Sequence, residues 1–308
     1  MFVFLYLLYP SFYPIGYFSH VTDIKMLTEN GERAIMFVEA GDWSNPADSL
    51  YLFYIYEDNH PSSYLMLKNP LYKRGYYEPE IWKYYDVMDI SDNEVGFITS
   101  EEDGLYLRRY DFSGNELYSK RLVEDDIENT KIRGFKAVWF EEINEFMLIW
   151  FSEDTLKLML YNKNGVPKFS KVISFSGIET QGVLSANALL LDDTFYIFWH
   201  QAGFNAVYSQ KMNMNGKFLL SSPVWVVKGW NTGEFRLTMN KEKNIILIST
   251  YERTQCTNRS LERIWGPGGL REGTLIGFTR NEDGIYLLRM EYEKNLIPKG
   301  WIIGKELI

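Results

Sequence analysis

Cysteine is almost absent, with Cys256 alone among 308 residues. One thiol excludes an intrachain disulfide framework and a cysteine-rich zinc site, and leaves the redox compartment open. Histidine is nearly as scarce: His20, His60 and His200 stand far apart, so a metal site would have to be assembled from distant segments. Positive charge is in deficit. The formal charge of −9 argues against a nucleic-acid partner, whose phosphates would be repelled. No segment approaches the length of a membrane-spanning helix. Residues 1–9, an apolar run, have the look of a signal-peptide core, but no Lys or Arg precedes them and no small-x-small cleavage site comes after. Residues 1–18 are therefore set apart as an N-terminal strand, with a signal remnant as the alternative, and residues 19–308 as the main domain.

Motif chemistry is missing too. There is no phosphate-cradling Gly-Lys-Ser/Thr loop, no His-Glu-x-x-His pair, no Gly-x-Ser-x-Gly elbow and no EF-hand loop. Long amphipathic helical periodicity is also lacking.

What is present is aromatic, apolar and periodic. Aromatic residues make up 17% of the chain, which suits half-buried strand packing. Gly114, Gly165 and Gly216 recur at a fixed interval, since 165 − 114 and 216 − 165 are both 51. Each closes a similar frame: Tyr110-Asp-Phe-Ser-Gly114, Tyr161-Asn-Lys-Asn-Gly165 and Met212-Asn-Met-Asn-Gly216. A fixed period near fifty residues, built of short strand-like runs, is the signature of a repeat fold.

Overlaying the repeats gives four strands per unit. The second unit reads 82–90, 94–99, 105–110 and 116–122; the third 135–140, 145–151, 156–161 and 168–174; the fourth 183–191, 194–199, 206–212 and 218–227. A looser first unit reads 21–27, 33–39, 49–56 and 63–68, with His60 near the expected glycine. A looser fifth reads 234–239, 244–250, 284–292 and 301–307, with Lys294-Asn295 at its turn and an insertion at 252–272. Second strands such as Phe146-Met-Leu-Ile-Trp150 are continuous apolar runs, as expected for strands covered on both faces. The fold class expected is all-β: a β-propeller of four-stranded blades, about five visible, with an incomplete sixth at the N-terminus as a further possibility.

The fourth unit, Phe195-Tyr-Ile-Phe-Trp199 and then Val207-Tyr-Ser-Gln210 and Asn213-Met-Asn-Gly216, resembles the repeats of certain bacterial β-propellers. Those run as an apolar strand ending in Trp, a strand near Gln, then an Asp/Asn-x-x-Gly turn. The resemblance implies the fold; many such propellers are uncharacterised envelope or secreted proteins, and fold does not imply function. The Ser-x-Asp-x-Gly-x-x-Trp turn common in sialidase propellers is absent, which lowers an enzymatic reading.

The expected function is a non-catalytic binding or scaffold module, with a glycan-active propeller enzyme, sialidase-like or another glycosidase, as the alternative. The ligand is expected on the face carrying the loops between second and third strands. Arg253, Arg259, Arg263, Trp265 and Arg271 of the expected insertion, with His200, Trp43 and Trp230, are the candidate ligand-binding residues. Arginine suits carboxylates and phosphates, and aromatics suit stacking. The partners expected are an anionic glycan, an acidic peptide or another protein. No cofactor, metal or catalytic residue is assigned; the chain is expected to be a monomer, and location leans toward secreted, periplasmic or cell-envelope.

Overall fold

The computed structural model describes residues 2–6, 12–17, 21–26, 33–42, 45–57, 60–68, 85–91, 94–101, 103–111, 113–124, 132, 134–152, 155–175, 183–201, 206–228, 235–240, 245–250, 253–269, 274–281, 284–292 and 298–306. Among them the one helical element is a 3-10 turn, Glu141–Ile143. Everything else is strand and turn.

Strands β1 (Phe2–Tyr6) and β2 (Phe12–Tyr17) form a hairpin. Six antiparallel sheets come next, each pairing its strands in chain order. The first contains β3 (Val21–Met26), β4 (Arg33–Asp42), β5 (Asn45–Glu57) and β6 (His60–Lys68). The second contains β7 (Tyr85–Ser91), β8 (Glu94–Glu101), β9 (Gly104–Asp111) and β10 (Glu116–Glu124). The third has β11 (Gly134–Phe140), β12 (Glu145–Ser152), β13 (Thr155–Asn162) and a short β14 (Ile173–Phe175). The fourth has β15 (Val183–Leu191), β16 (Thr194–Gln201), β17 (Ala206–Asn213) and β18 (Val224–Lys228). The fifth has β19 (Phe235–Asn240), β20 (Ile245–Thr250), β21 (Arg253–Asn258) and β22 (Arg263–Gly269). The sixth is three-stranded: β23 (Thr274–Asn281), β24 (Gly284–Tyr292) and β25 (Pro298–Glu306).

The expected insertion at 252–272 is corrected by this order. Its two halves are β21 and β22; β21 pairs with β20 on one side and with β22 on the other, and together they complete a fifth sheet. Gly284–Tyr292 then belongs to a sixth sheet rather than the fifth. The cause is one residue. The turn between β21 and β22 is built like those at Gly114, Gly165 and Gly216, but Leu261 stands where they have glycine (φ 68°), so the glycine signal is missing. The expected Lys294-Asn295 turn lies outside the described residues.

The core sits between sheets. Along β12, Phe146, Leu148 and Trp150 pack toward the second sheet, while Met147, Ile149 and Phe151 pack toward the fourth. Alternation along a strand sends neighbours to opposite faces, so a run apolar at every position is what a strand covered on both sides requires. Each such side chain contributes about 1.5–3 kcal/mol by leaving water. A similar cluster joins the fourth and fifth sheets through Phe198, Val207, Ile246 and Ile248.

First strands are neighbours in turn. β11 lies against β7 and β15, β15 against β19, β19 against β23, and β23 against β3. Phe37 of the first sheet packs edge-on against Tyr85 and Phe97 of the second. β1 runs beside β25.

Candidate functional site

Strand register brings a set of polar residues to one level of the first strands. In each of four sheets the second strand begins opposite the last residue of the third: Glu94 opposite Asp111, Glu145 opposite Asn162, Thr194 opposite Asn213, Ile245 opposite Asn258. Four residues on, the second strand pairs with Asp86, Lys136, Asn187 and Arg236 of the first. The same count from Arg33 and from Gly284 places Lys25 and Gly277 at this level in the first and sixth sheets. The rung therefore reads Lys25, Asp86, Lys136, Asn187, Arg236, Gly277.

Asp86 is fully buried. Lys136 Nζ lies 3.0 Å from its Oδ2, and the Ala137 N–H, from the same neighbouring strand, donates to that oxygen at 2.8 Å. Burying a carboxylate costs several kcal/mol, which a cation and a backbone donor at these distances offset. The Lys136 side chain keeps 18% of its surface in the open, so it is the accessible member of the pair. Asn187 is partly buried, and its Oδ1 accepts from the Ala188 N–H at 2.9 Å. Two residues earlier, the buried Ser185 Oγ makes no hydrogen bond. Two residues later the second to fourth sheets turn apolar, with Met88, Val138 and Leu189, while the fifth and sixth carry Thr238 and Thr279. The polar rung lies near the start of β11, whose first residue pairs with Phe151 beside the β12–β13 connection. It is thus nearer the end of the sheets where second and third strands connect.

The opposite end carries the turns between third and fourth strands, and these lean on the preceding sheet. Tyr118 Oη donates to the Asn164 carbonyl at 3.1 Å, and Lys120 Nζ to the Gly165 carbonyl at 2.9 Å. Between the fourth and fifth sheets, Tyr196 Oη and Lys211 Nζ both donate to the Arg259 carbonyl, at 3.2 and 2.5 Å. Burial there pushes the Lys211 ammonium below its ordinary pKa.

Among the described residues, the expected site residues fall on separate elements. Arg259 lies in the β21–β22 turn, at the end opposite to the one expected, and pairs with Asp192 of the fourth sheet. Arg253 begins β21, Arg263 begins β22 with an exposed side chain, and Trp265 pairs with Cys256 inside the fifth sheet. The reason is that the expected loop spends its length as two paired strands. His200 is 1% exposed on β16, opposite Val207, rather than on an open loop. Trp43, Trp230 and Arg271 lie outside the described residues. Sequence reading missed Lys25, Asp86, Lys136, Asn187 and Arg236. The signal was there as polar residues about one repeat apart, at 86, 136, 187 and 236, although β3, β7 and β19 carry other polar residues such as Asp23, Asp89 and Thr238.

No protein-family model matches the sequence, and no curated protein matches it either. Solved structures align with it at 8–12% identity and a TM-score of 0.48. One is the acylaminoacyl peptidase of Pyrococcus horikoshii (8% identity, TM-score 0.48), where 89% of this chain spans 43% of that one. Another is the β-propeller domain of the Trilobed protease from Pyrococcus furiosus (10%, 0.48), covering 89% of this chain and 80% of that one. A third is a chain of a nidogen/laminin complex (12%, 0.48), covering 88% and 93%. Likeness at this level carries nothing about activity, ligand or partner.

Proposed function

We propose that the six sheets are the blades of a closed β-propeller, and that the chain is a non-catalytic binding module whose ligand sits on the axis. The observation that carries this reading is the series of contacts that passes from sheet to sheet and returns: Phe37 to Tyr85, then β7, β11, β15, β19, β23 and back to β3. Such a ring sets the first strands around a central channel and leaves only short, protected sheet edges. In it, β1 beside β25 gives the three-stranded sixth blade its outer strand.

The polar rung then lines the channel near the face where second and third strands connect, which is the face expected from the sequence. Its chemistry favours binding over a glycan-hydrolysing site. Hydrolysis needs two carboxyl groups about 5–10 Å apart. Asp86 is the one carboxylate of the rung, and it is already engaged by Lys136 and Ala137.

Two measurements test the reading. A closed ring of this length gives a radius of gyration of about 19 Å by small-angle scattering; an open row of sheets gives a clearly larger value and ends the proposal. Glycan and peptide arrays probed with the purified chain supply a ligand, and Ser185→Ala and Asn187→Ala should weaken its binding. Binding that ignores both changes places the site elsewhere.

A further inference from the structure

We infer that the outer edges of the third and fourth sheets form a docking surface for a membrane rich in anionic lipid, separate from the axial site. The segments are 163–175, from the Gly165 turn through β14, and 214–227, from the Gly216 turn into β18. They make one surface. The Phe218 ring lies 4.6 Å from that of Phe175, and Gly216 packs against Phe169 and Ile173.

Charge on these segments runs against the chain. The whole carries −9, yet they contain Lys163, Lys168, Lys171 and Lys217 and no carboxylate. All four lysines are exposed, and Lys168 pairs with Glu145 of β12 at 2.6 Å. The other described acidic residues of these two sheets, Glu141, Glu142, Asp192 and Asp193, stand in turns between first and second strands. The second sheet differs: its outer strand, β10, sets Glu116 and Glu124 beside Lys120 and Arg121.

Pairing shows how the edge opens. In the third sheet Tyr161 meets Pro167 and Leu158 meets Ile173, so residues 168–172 answer only Met159 and Leu160. In the fourth Met212 meets Phe218 and Ser209 meets Val224, so residues 219–223 answer only Gln210 and Lys211. The surplus chain leaves the ladder as a bulge. Bulges and lysines guard an edge against strand addition, but that task needs no apolar side chains. Here Val166, Val172, Leu219, Val224 and Trp225 are all exposed, Trp225 at 58% even with Tyr208 edge-on at 6.1 Å.

Lysine, tryptophan and aliphatic side chains together fit the boundary of a bilayer. Tryptophan sits at headgroup level, aliphatic tips reach the acyl chains, and lysines meet anionic headgroups. An anionic glycan would satisfy the lysines but leave Val166, Val172, Leu219 and Val224 in water. These side chains protrude at bulges, which suits a surface they can enter rather than a peptide that needs a groove.

The test sediments the full chain with vesicles of phosphatidylcholine alone, and with vesicles that add about 30% phosphatidylserine. Binding to the anionic vesicles that salt weakens and neutral vesicles lack upholds the inference. Lys171→Gln and Lys217→Gln should each weaken it about fivefold, and Trp225→Ser, which leaves charge unchanged, about tenfold. Arg121→Gln on β10 makes the same change in charge as either lysine variant and should leave binding unaltered. So should Ser185→Ala and Asn187→Ala, which probe the axial site. Melting curves on each variant confirm that the fold is kept.

Failure to bind anionic vesicles, or equal binding to neutral ones, overturns the inference. Equal weakening by Arg121→Gln, or indifference to Trp225→Ser, would reduce the effect to overall charge and overturn it too. A dimer in velocity sedimentation that Trp225→Ser abolishes would give the surface to a second copy of the chain instead of a membrane.

Discussion

The turns at Gly165 and at Leu261 do the same job with different residues. In each, an Asn at the end of a third strand accepts on its backbone carbonyl from the residue three ahead (2.9 Å in both) and on Oδ1 from the residue four ahead (3.0 and 2.9 Å). The fourth residue is left-handed in both, with φ 65° and 68°. That conformation is free for glycine and costs about 1–2 kcal/mol for other residues. What differs is which sheet fills the seam. Beside Gly165, Leu122 of the preceding sheet stands only 2.6 Å from where a β carbon would be; beside Gly216, Ile173 does the same. The residue 51 positions after Ile173 is Val224, which is 36% exposed. There Leu261 fills the seam from its own side, packed with Leu191 and Tyr196 and 6% exposed. The Asn makes the turn, and the neighbouring sheet decides whether glycine is needed.

Gly216→Val should break this contrast hardest. It forces a β-branched residue into positive φ and a clash with Ile173, at a cost of about 3 kcal/mol or more. Thermal melts of Gly114→Val, Gly165→Val and Gly216→Val that all match the parent would show the glycines to be incidental. Leu261→Gly tests the other half. It relieves about 1 kcal/mol of backbone strain but empties a filled seam, where losing a buried Leu costs about 2–5 kcal/mol. A net loss of about 2 kcal/mol in urea unfolding is expected; a gain would mean that the side chain is not what holds that turn.

The smallest effect is in acid. Asp111 replaces Asn at the Gly114 turn, and its hydrogen bond from the Asn115 side chain holds its carboxyl below the ordinary value of 3.8. A folded pKa below the unfolded one means stability present above about pH 4 and lost as pH falls through the folded value. Amide exchange at Gly114 should therefore speed up relative to Gly165 and Gly216 in that window, after correction for intrinsic rates. Asp111→Asn should abolish the difference; an equal response at all three turns would dismiss it.

Much of the fold could be read from residues alone, because strand period and glycine turns are local properties. In sheets two to four the second and third strands match the expected segments closely, as with β12 at Glu145–Ser152 against 145–151 and β16 at Thr194–Gln201 against 194–199. The fourth strands of sheets three and four start later and are shorter, β14 at Ile173–Phe175 against 168–174 and β18 at Val224–Lys228 against 218–227. The fifth and sixth sheets were merged because Leu261 hid a turn whose conformation depends on packing across a seam. The site was less legible for a related reason. Asp86 and Lys136 are unremarkable one at a time, and only strand register shows that they occupy one level. The arginines between 253 and 271 were conspicuous by composition, yet pairing between β21 and β22 sets Arg253 and Arg263 at strand starts and Arg259 in the turn between them.

The leaning turns also give the molecule a direction. The Gly165 turn rests on Tyr118 and Lys120, and the Arg259 turn on Tyr196 and Lys211, so the third and fifth sheets are each docked onto the one made before. A ribosome adding about 5–20 residues per second takes seconds to deliver one repeat, whereas a hairpin forms in about 1–10 μs. The third and fifth sheets thus each meet a finished template on the N-terminal side as they emerge. Synthesis and assembly run the same way along the chain, which shortens the time that apolar strands such as β12 and β16 spend uncovered.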